Sequence, residues 1–281
     1  MHSCVMLASI LQNILLGVII GKVAMAALLI GTNTKSLLKA EIGALLLDCD
    51  GTIAETEREL TLVQFNCAFK ATDEVAHIQW TSSEYGELLK AGASQARFTS
   101  YFEKHGWPAS VQSGMMGKPE FVDYMKRQKD DMFDVVWGRG EIQLLPGVMR
   151  LIDEALDSGV KVAVCSNSNL EPVTKICLAL LGQHRVAKML ILTGDMPEFK
   201  QHKKPDPKIY LHAASVLGVP PSRCVAVEDS YVGLQAAKRA NMRCIVTPSY
   251  YTTGEDFGDA DLVASDLDAG GVRIVKLDID G

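Results

Sequence analysis

Short, continuous apolar runs recur along the chain, each ending in polar residues or a turn, at residues 44–47, 160–165, 188–192, 224–227 and 243–246. Such runs are the mark of strands buried on both faces of a parallel sheet. Between the later ones lie stretches of helical period at residues 148–158, 172–181, 208–217 and 231–240. Strands alternating with helices predict an α/β, Rossmann-like parallel sheet with helices on both faces. Ligands bind such sheets at the carboxyl ends of the strands. Asp48, Ser166 and Glu228-Asp229 stand at those ends.

One interval breaks the alternation. From about residue 59 to 139 only helical patterns occur, at 60–70, 82–90, 93–105 and 119–136, punctuated by Gly106-Trp107-Pro108 and by residues 114–119. An all-helical cap inserted after the first strand is the expected reading. The expected division is an apolar N-terminal segment at 1–41, an α/β core at 42–58 and 140–281, and the cap at 59–139.

Composition narrows the function. Apolar residues make up 48% of the 281 positions and charged residues 22%, as in an ordinary globular protein. The net charge of -6 and the lack of a basic block exclude nucleic acid as the main partner. The seven cysteines are scattered, with no C-x-x-C pair, and read as small buried hydrophobes of a reducing compartment. The first forty residues contain no Asp, Glu or Arg. Together with Ala24-Met25-Ala26, that favours a targeting segment, with an extra helix on the body or a misplaced start as the alternatives. A plastid is the expected destination if the segment targets, although transit peptides are usually richer in Ser and Arg; otherwise the chain is cytoplasmic. Only a retained segment would bring it to a membrane, and Lys22 interrupts the apolar run.

The chemistry centres on Asp48-Cys49-Asp50-Gly51-Thr52. Two carboxylates at i and i+2 leaving a strand can take opposite roles around one phosphorus atom. Asp48 would be the nucleophile and Asp50 the general acid and base. Gly51 permits a tight turn close to a phosphate. A calcium loop would need a further Asp or Asn before the glycine and a Glu at its twelfth position. Ser166, with Asn167, could hydrogen-bond a phosphoryl group, or serve as a helix N-cap. Lys204, with Lys203 as competitor, could neutralise charge on nucleophile and phosphate. Glu228 and Asp229 offer hard oxygen ligands suited to Mg²⁺.

In this order Asp48-x-Asp50-Gly-Thr, the helical insertion, Ser166, Lys204-Pro-x-Pro and Glu228-Asp229-Ser230 closely resemble the haloacid dehalogenase-like phosphatases with a helical cap. Ala54-Glu55-Thr56-Glu57, the stretch 84–90 and Lys208-Ile209-Tyr210 resemble the CbbY-like branch, whose members dephosphorylate xylulose-1,5-bisphosphate. The resemblance covers residues 42–267. It implies Mg²⁺ held by Asp48, the Asp50 carbonyl, Glu228 and Asp229, and substrate contacts from Glu55 and Arg97.

The cap departs from that branch. Thr61-Leu62 stands where a His-Arg pair is usual, and Ala93-Ser94-Gln95-Ala96-Arg97 replaces a Gly-Gly-Lys-Glu-Arg run. The lost groups are cations or flexible glycines suited to gripping a second phosphate. The expected function is therefore a Mg²⁺-dependent phosphatase, acting as a monomer on a small phosphorylated metabolite such as a sugar phosphate or bisphosphate. A phosphosugar mutase of the β-phosphoglucomutase type shares the core residues but must grip either phosphate through its cap, which the lost cations disfavour. A non-catalytic binding protein of the same fold would carry a degraded constellation, and none is seen.

Overall fold

The computed structural model describes residues 42–140 and 142–274. The N-terminal segment and its targeting or anchoring role lie outside these residues. Among the described residues no helix is long and apolar enough to cross a membrane.

Six strands form one sheet in which every pairing is parallel. They are β1 (Ala44–Leu47), β2 (Lys161–Ser166), β3 (Met189–Thr193), β4 (Cys224–Glu228), β5 (Arg243–Val246) and β6 (Leu262–Val263), in the spatial order β3-β2-β1-β4-β5-β6. The chain builds outward from β1 in one direction through β3, then crosses to the other side at β4. β1 and β4 thus flank the switch point, the crevice in which ligands of open α/β sheets sit.

Side chains alternate between two cores. Leu45, Leu47, Val162, Val164, Val225 and Val227 fill one face with branched aliphatics. The other face carries Ala44, Ala163, Cys165, Cys224, Ala226 and Cys244. These small residues let Ala213, Ala214, Ala236 and Ala237 of the covering helices approach the strands closely. The described cysteines are free thiols, and all but Cys67 are buried. They serve as the small hydrophobes that the sequence suggests.

The chain leaves the sheet after β1 through a clasp. Ala54 bridges Asp50 on one side and Leu144 on the other, and the Leu145 amide donates to the Ile53 carbonyl at 2.9 Å. Between these points all regular structure among the described residues is helical. A wide π-type turn, Glu57–Thr61, runs into α1 (Leu62–Lys70). α2 (Ser82–Leu89) follows, started by a capping box in which Thr81 and Glu84 satisfy each other's backbone amides. α3 (Ser94–His105), α4 (Lys118–Asp131) and α5 (Phe133–Trp137) complete the layer. Phe65, Phe69, Trp80, Tyr85, Phe98, Phe102 and Phe121 give this cap an aromatic core of its own.

The sheet is covered by α6 (Val148–Asp157), α7 (Leu170–Leu181), α8 (Lys208–Leu217) and α9 (Tyr231–Arg239). Three expectations need correction. Residues 119–136 make two helices broken at Met132, because the apolar period runs on through Phe133 and Val136 where the backbone does not. The first cap helix starts at Glu57, three residues before the expected 60. A sixth strand, too short to show an apolar run, ends the sheet.

Candidate active site

The register explains why the carboxylates meet. Leu47 is paired with Val164 of β2 and with Val227 of β4. One step further, the Asp48 amide still donates to the Val227 carbonyl at 3.0 Å, so Asp48 sits beside Glu228 at the strand ends. Asp48, Glu228 and Asp229 each present a carboxylate oxygen, all within 4.8 Å of one another, and all three residues are buried.

Lys204 holds this cluster together. Its ammonium donates to Oδ1 of Asp48 at 2.6 Å and to Oε1 of Glu228 at 2.7 Å, and the Tyr210 hydroxyl donates to the same Glu228 oxygen. Asn167 fixes the lysine by accepting the Lys204 amide at 2.9 Å. Lys203 points elsewhere, is exposed, and donates to the Asn167 carbonyl. Of the two lysines, Lys204 is the one in contact with the carboxylates.

Burial dominates the electrostatics. It pushes the Asp48 carboxyl up to about 7, against the pull of Lys204 and with the help of the Glu228 and Asp50 charges. Burial and the Asp48 charge also hold Asp229 well above the usual carboxylate range. Lys204 loses solvation, yet the two anions beside it raise its pKa and keep it charged. The cluster is thus short of positive charge, the condition in which a divalent cation binds carboxylates best.

Two glycines make room. Gly51 has φ +78°, and a Cβ there would lie 2.2 Å from Oδ2 of Asp229. A Cβ on Gly233 would lie 1.8 Å from Oε2 of Glu228. Neither position accepts a side chain without moving a carboxylate.

Asp50 is held separately. Its Oδ1 accepts the Thr56 hydroxyl at 2.5 Å, while its Oδ2 accepts Ser168 at 2.6 Å and Ser166 at 3.3 Å. Ser166 closes β2 and its Oγ accepts the Ser168 amide, so it is not the N-cap of α7; Asn169 holds that position. Asn167 uses its side chain on the Lys204 backbone rather than on the crevice. Thr56 and Ser168 were not evident in the sequence, because a lone Ser or Thr in a loop is most often a cap or turn residue.

Glu55 and Arg97 lie towards the cap. Glu55 accepts the Tyr250 amide on Oε2 at 3.1 Å, and its Oε1 is buried without a hydrogen-bond partner among the described residues. Arg97 reaches Glu57 with both terminal guanidinium nitrogens, at 3.2 and 3.4 Å, and the Tyr85 hydroxyl lies between them. Burial, reinforced by the Glu57 charge, keeps that phenol protonated. Glu57 and Tyr85 are the partners that the sequence did not reveal.

Comparison with known proteins agrees with this geometry. The haloacid dehalogenase-like hydrolase profile matches residues 42–241, most of the chain. The chain belongs to the haloacid dehalogenase-like hydrolases. A CBBY-like protein of Arabidopsis thaliana is 47% identical over 231 residues, covering 82% of this chain and 71% of that protein. Protein CbbY of Cereibacter sphaeroides is 39% identical over 240 residues, covering 84% of this chain and 97% of that protein. Among solved structures, an aspartate-to-asparagine variant of CbbY from Rhodobacter sphaeroides, in complex with xylulose-1,5-bisphosphate, superposes with a TM-score of 0.68. It shares 37% identity and covers 80% of this chain and 94% of that chain. This haloacid dehalogenase-like hydrolase is accordingly an enzyme, a CbbY-like phosphatase.

Proposed function

We propose that the chain is a Mg²⁺-dependent phosphatase of a small sugar phosphate or bisphosphate, xylulose-1,5-bisphosphate or a close relative. The observation that carries this reading is the convergence of Asp48, Glu228 and Asp229 around Lys204, with Asp50 held apart on hydroxyls. The substrate class rests on the complex of the CbbY relative. A plastid is the corresponding proposed location, in keeping with a plant relative and the lack of Asp and Glu in the first forty residues.

Asp48 attacks phosphorus, and the bond from phosphorus to the ester oxygen breaks. Asp50 gives its proton to the departing oxygen. It then takes a proton from water as the water attacks the aspartyl-phosphate, which restores Asp48 and releases phosphate. Ser166, with amides of the loop after β2, steadies the phosphoryl oxygens. Lys204 offsets the negative charge that Asp48 and the phosphoryl group share. The donor set, all oxygen and mostly carboxylate, fits Mg²⁺, with Asp48, the Asp50 carbonyl, Glu228 and Asp229 as the residues that would hold it. When bound, the ion would neutralise carboxylate and phosphoryl charge together. Glu55, with one free buried oxygen, and Arg97 suit the hydroxyls and far end of a sugar phosphate.

The test is Mg²⁺-dependent phosphate release from an aryl phosphate, followed by a panel of phosphosugars that includes xylulose-1,5-bisphosphate. Wild type should turn over and Asp48→Asn should not. Equal rates for the two would sink the enzymatic reading. Hydrolysis of another phosphosugar but not of the bisphosphate would move the substrate while keeping the chemistry.

A further inference from the structure

Among the described residues of the cap's aromatic cluster, one comes from the sheet side. Tyr251, in the loop after β5, packs with Tyr85 at 5.6 Å between ring centroids and against the backbone of α2 at Gly86. A methyl added at Gly86 would meet the Tyr251 ring at 3.2 Å, so the ring lies close over the helix backbone there. Its neighbour Tyr250 stands edge-on to it at 5.0 Å, and the Arg58 guanidinium covers the Tyr250 ring at 4.8 Å.

The same loop is tied to the chemistry. The Tyr250 amide donates to Glu55, and the Thr252 hydroxyl donates to the Asp229 carbonyl at 2.7 Å. The Thr252 oxygen also accepts the Ser249 amide at 2.8 Å. The three residues Tyr250, Tyr251 and Thr252 therefore span Glu55, the cap and the carboxylate cluster. They lie in a turn closed by the Thr252 amide, which donates to the Ser249 carbonyl at 3.2 Å, so the turn ties these anchors together.

We infer that Tyr251 is a positioning residue, which seats α2 on the sheet edge and so aligns the Tyr85–Glu57–Arg97 group with the end of the substrate remote from the transferred phosphate. This deepens the phosphatase reading and rests on it for the kinetic part. Tyr251 touches neither Asp48 nor Asp50, so a small aryl phosphate that needs only the sheet-edge residues should be indifferent to it. A phosphosugar that spans core and cap should not.

The experiment compares wild type, Tyr251→Phe and Tyr251→Ala on two readouts. Hydrogen exchange is followed at α2 and at β1 and β4, and kcat/KM is measured for the best phosphosugar and for an aryl phosphate. Tyr251→Ala should speed exchange in α2 and leave the strands protected. It should also lower kcat/KM for the phosphosugar by roughly tenfold to a hundredfold, the scale of a small misplacement, with the aryl phosphate changed less than about twofold. Tyr251→Phe keeps the ring and should behave as wild type on both readouts. Unaltered exchange in α2, or equal losses on both substrates, would overturn the inference. If wild type hydrolyses the aryl phosphate but no phosphosugar, the proposed substrate class fails, and the exchange readout still decides the role of Tyr251.

Discussion

The Lys204 ammonium lies 2.6 Å from Oδ1 of Asp48, and both side chains are almost wholly shielded from water. Removing a buried cation leaves its carboxylates uncompensated, which costs far more than the pair contributes. Lys204→Met should lower stability by about 3 kcal/mol without Mg²⁺. It should also slow turnover by at least about a hundredfold. Chemical denaturation and steady-state kinetics check both. A variant as stable and as fast as wild type would remove Lys204 from the site.

Acidity should act on the metal-free protein in an unusual direction. The Asp48 carboxyl titrates near 7 in the fold and at 3.8 ordinarily. The folded state therefore binds more protons than the unfolded chain across that window, and stability falls as pH rises from 3.8 towards about 7. Asp229 acts in the same sense. A cation competes with those protons, so the gain in melting temperature on adding Mg²⁺ should grow with pH. Melting curves over this range, with and without the ion, should diverge upward; parallel curves would contradict the assignment.

Asp50→Asn should separate the two half-reactions. An aryl phosphate has a good leaving group and needs little acid help, so Asp48 should still be phosphorylated. The variant then lacks the base for the water step. It should release one burst of phenol and accumulate a phosphoryl adduct visible by mass spectrometry. Continued turnover at the wild-type rate would show that another group resolves the intermediate.

Gly51→Ala should damage the cation site without replacing any proposed ligand. The backbone at φ +78° disfavours a side chain by roughly 1–3 kcal/mol, and the new methyl would overlap Asp229 Oδ2. The expected result is loss of Mg²⁺-induced stabilisation and of activity. Calorimetric titration with Mg²⁺ reads this directly.

Arg97→Lys keeps the charge and loses the fork that engages Glu57. KM for the phosphosugar should rise about tenfold, with aryl phosphate hydrolysis unchanged. An unchanged KM would place Arg97 in cap architecture alone.

The strands were legible in the sequence because burial on both faces leaves an unbroken apolar run, as in Ala44–Leu47 and residues 224–227. β6 was not, because its two residues are half-buried and exposed and leave no run. The meeting of Asp48, Glu228 and Asp229 could be read from motif order. The grip on Asp50 could not. Ser168 stands 118 residues from it in sequence, and its role follows from where a loop turns rather than from its residue type. That Glu57 and Tyr85 partner Arg97 was not legible for the same reason, since these contacts span 40 and 12 residues. Lys204 stands out in sequence by its place before Pro205. That Lys203 turns away to the Asn167 carbonyl while Lys204 meets Asp48 and Glu228 follows from the path of the loop.

The clasp at Ala54, Asp50 and Leu144 brings the exit and return of the cap segment side by side. The helical layer is therefore a closed excursion hung from a single doorway, not a stretch woven through the sheet. Segments of quite different length could be spliced at that doorway without disturbing strand order or register. Such a chimaera would inherit its appetite from the graft and its reactivity from the host.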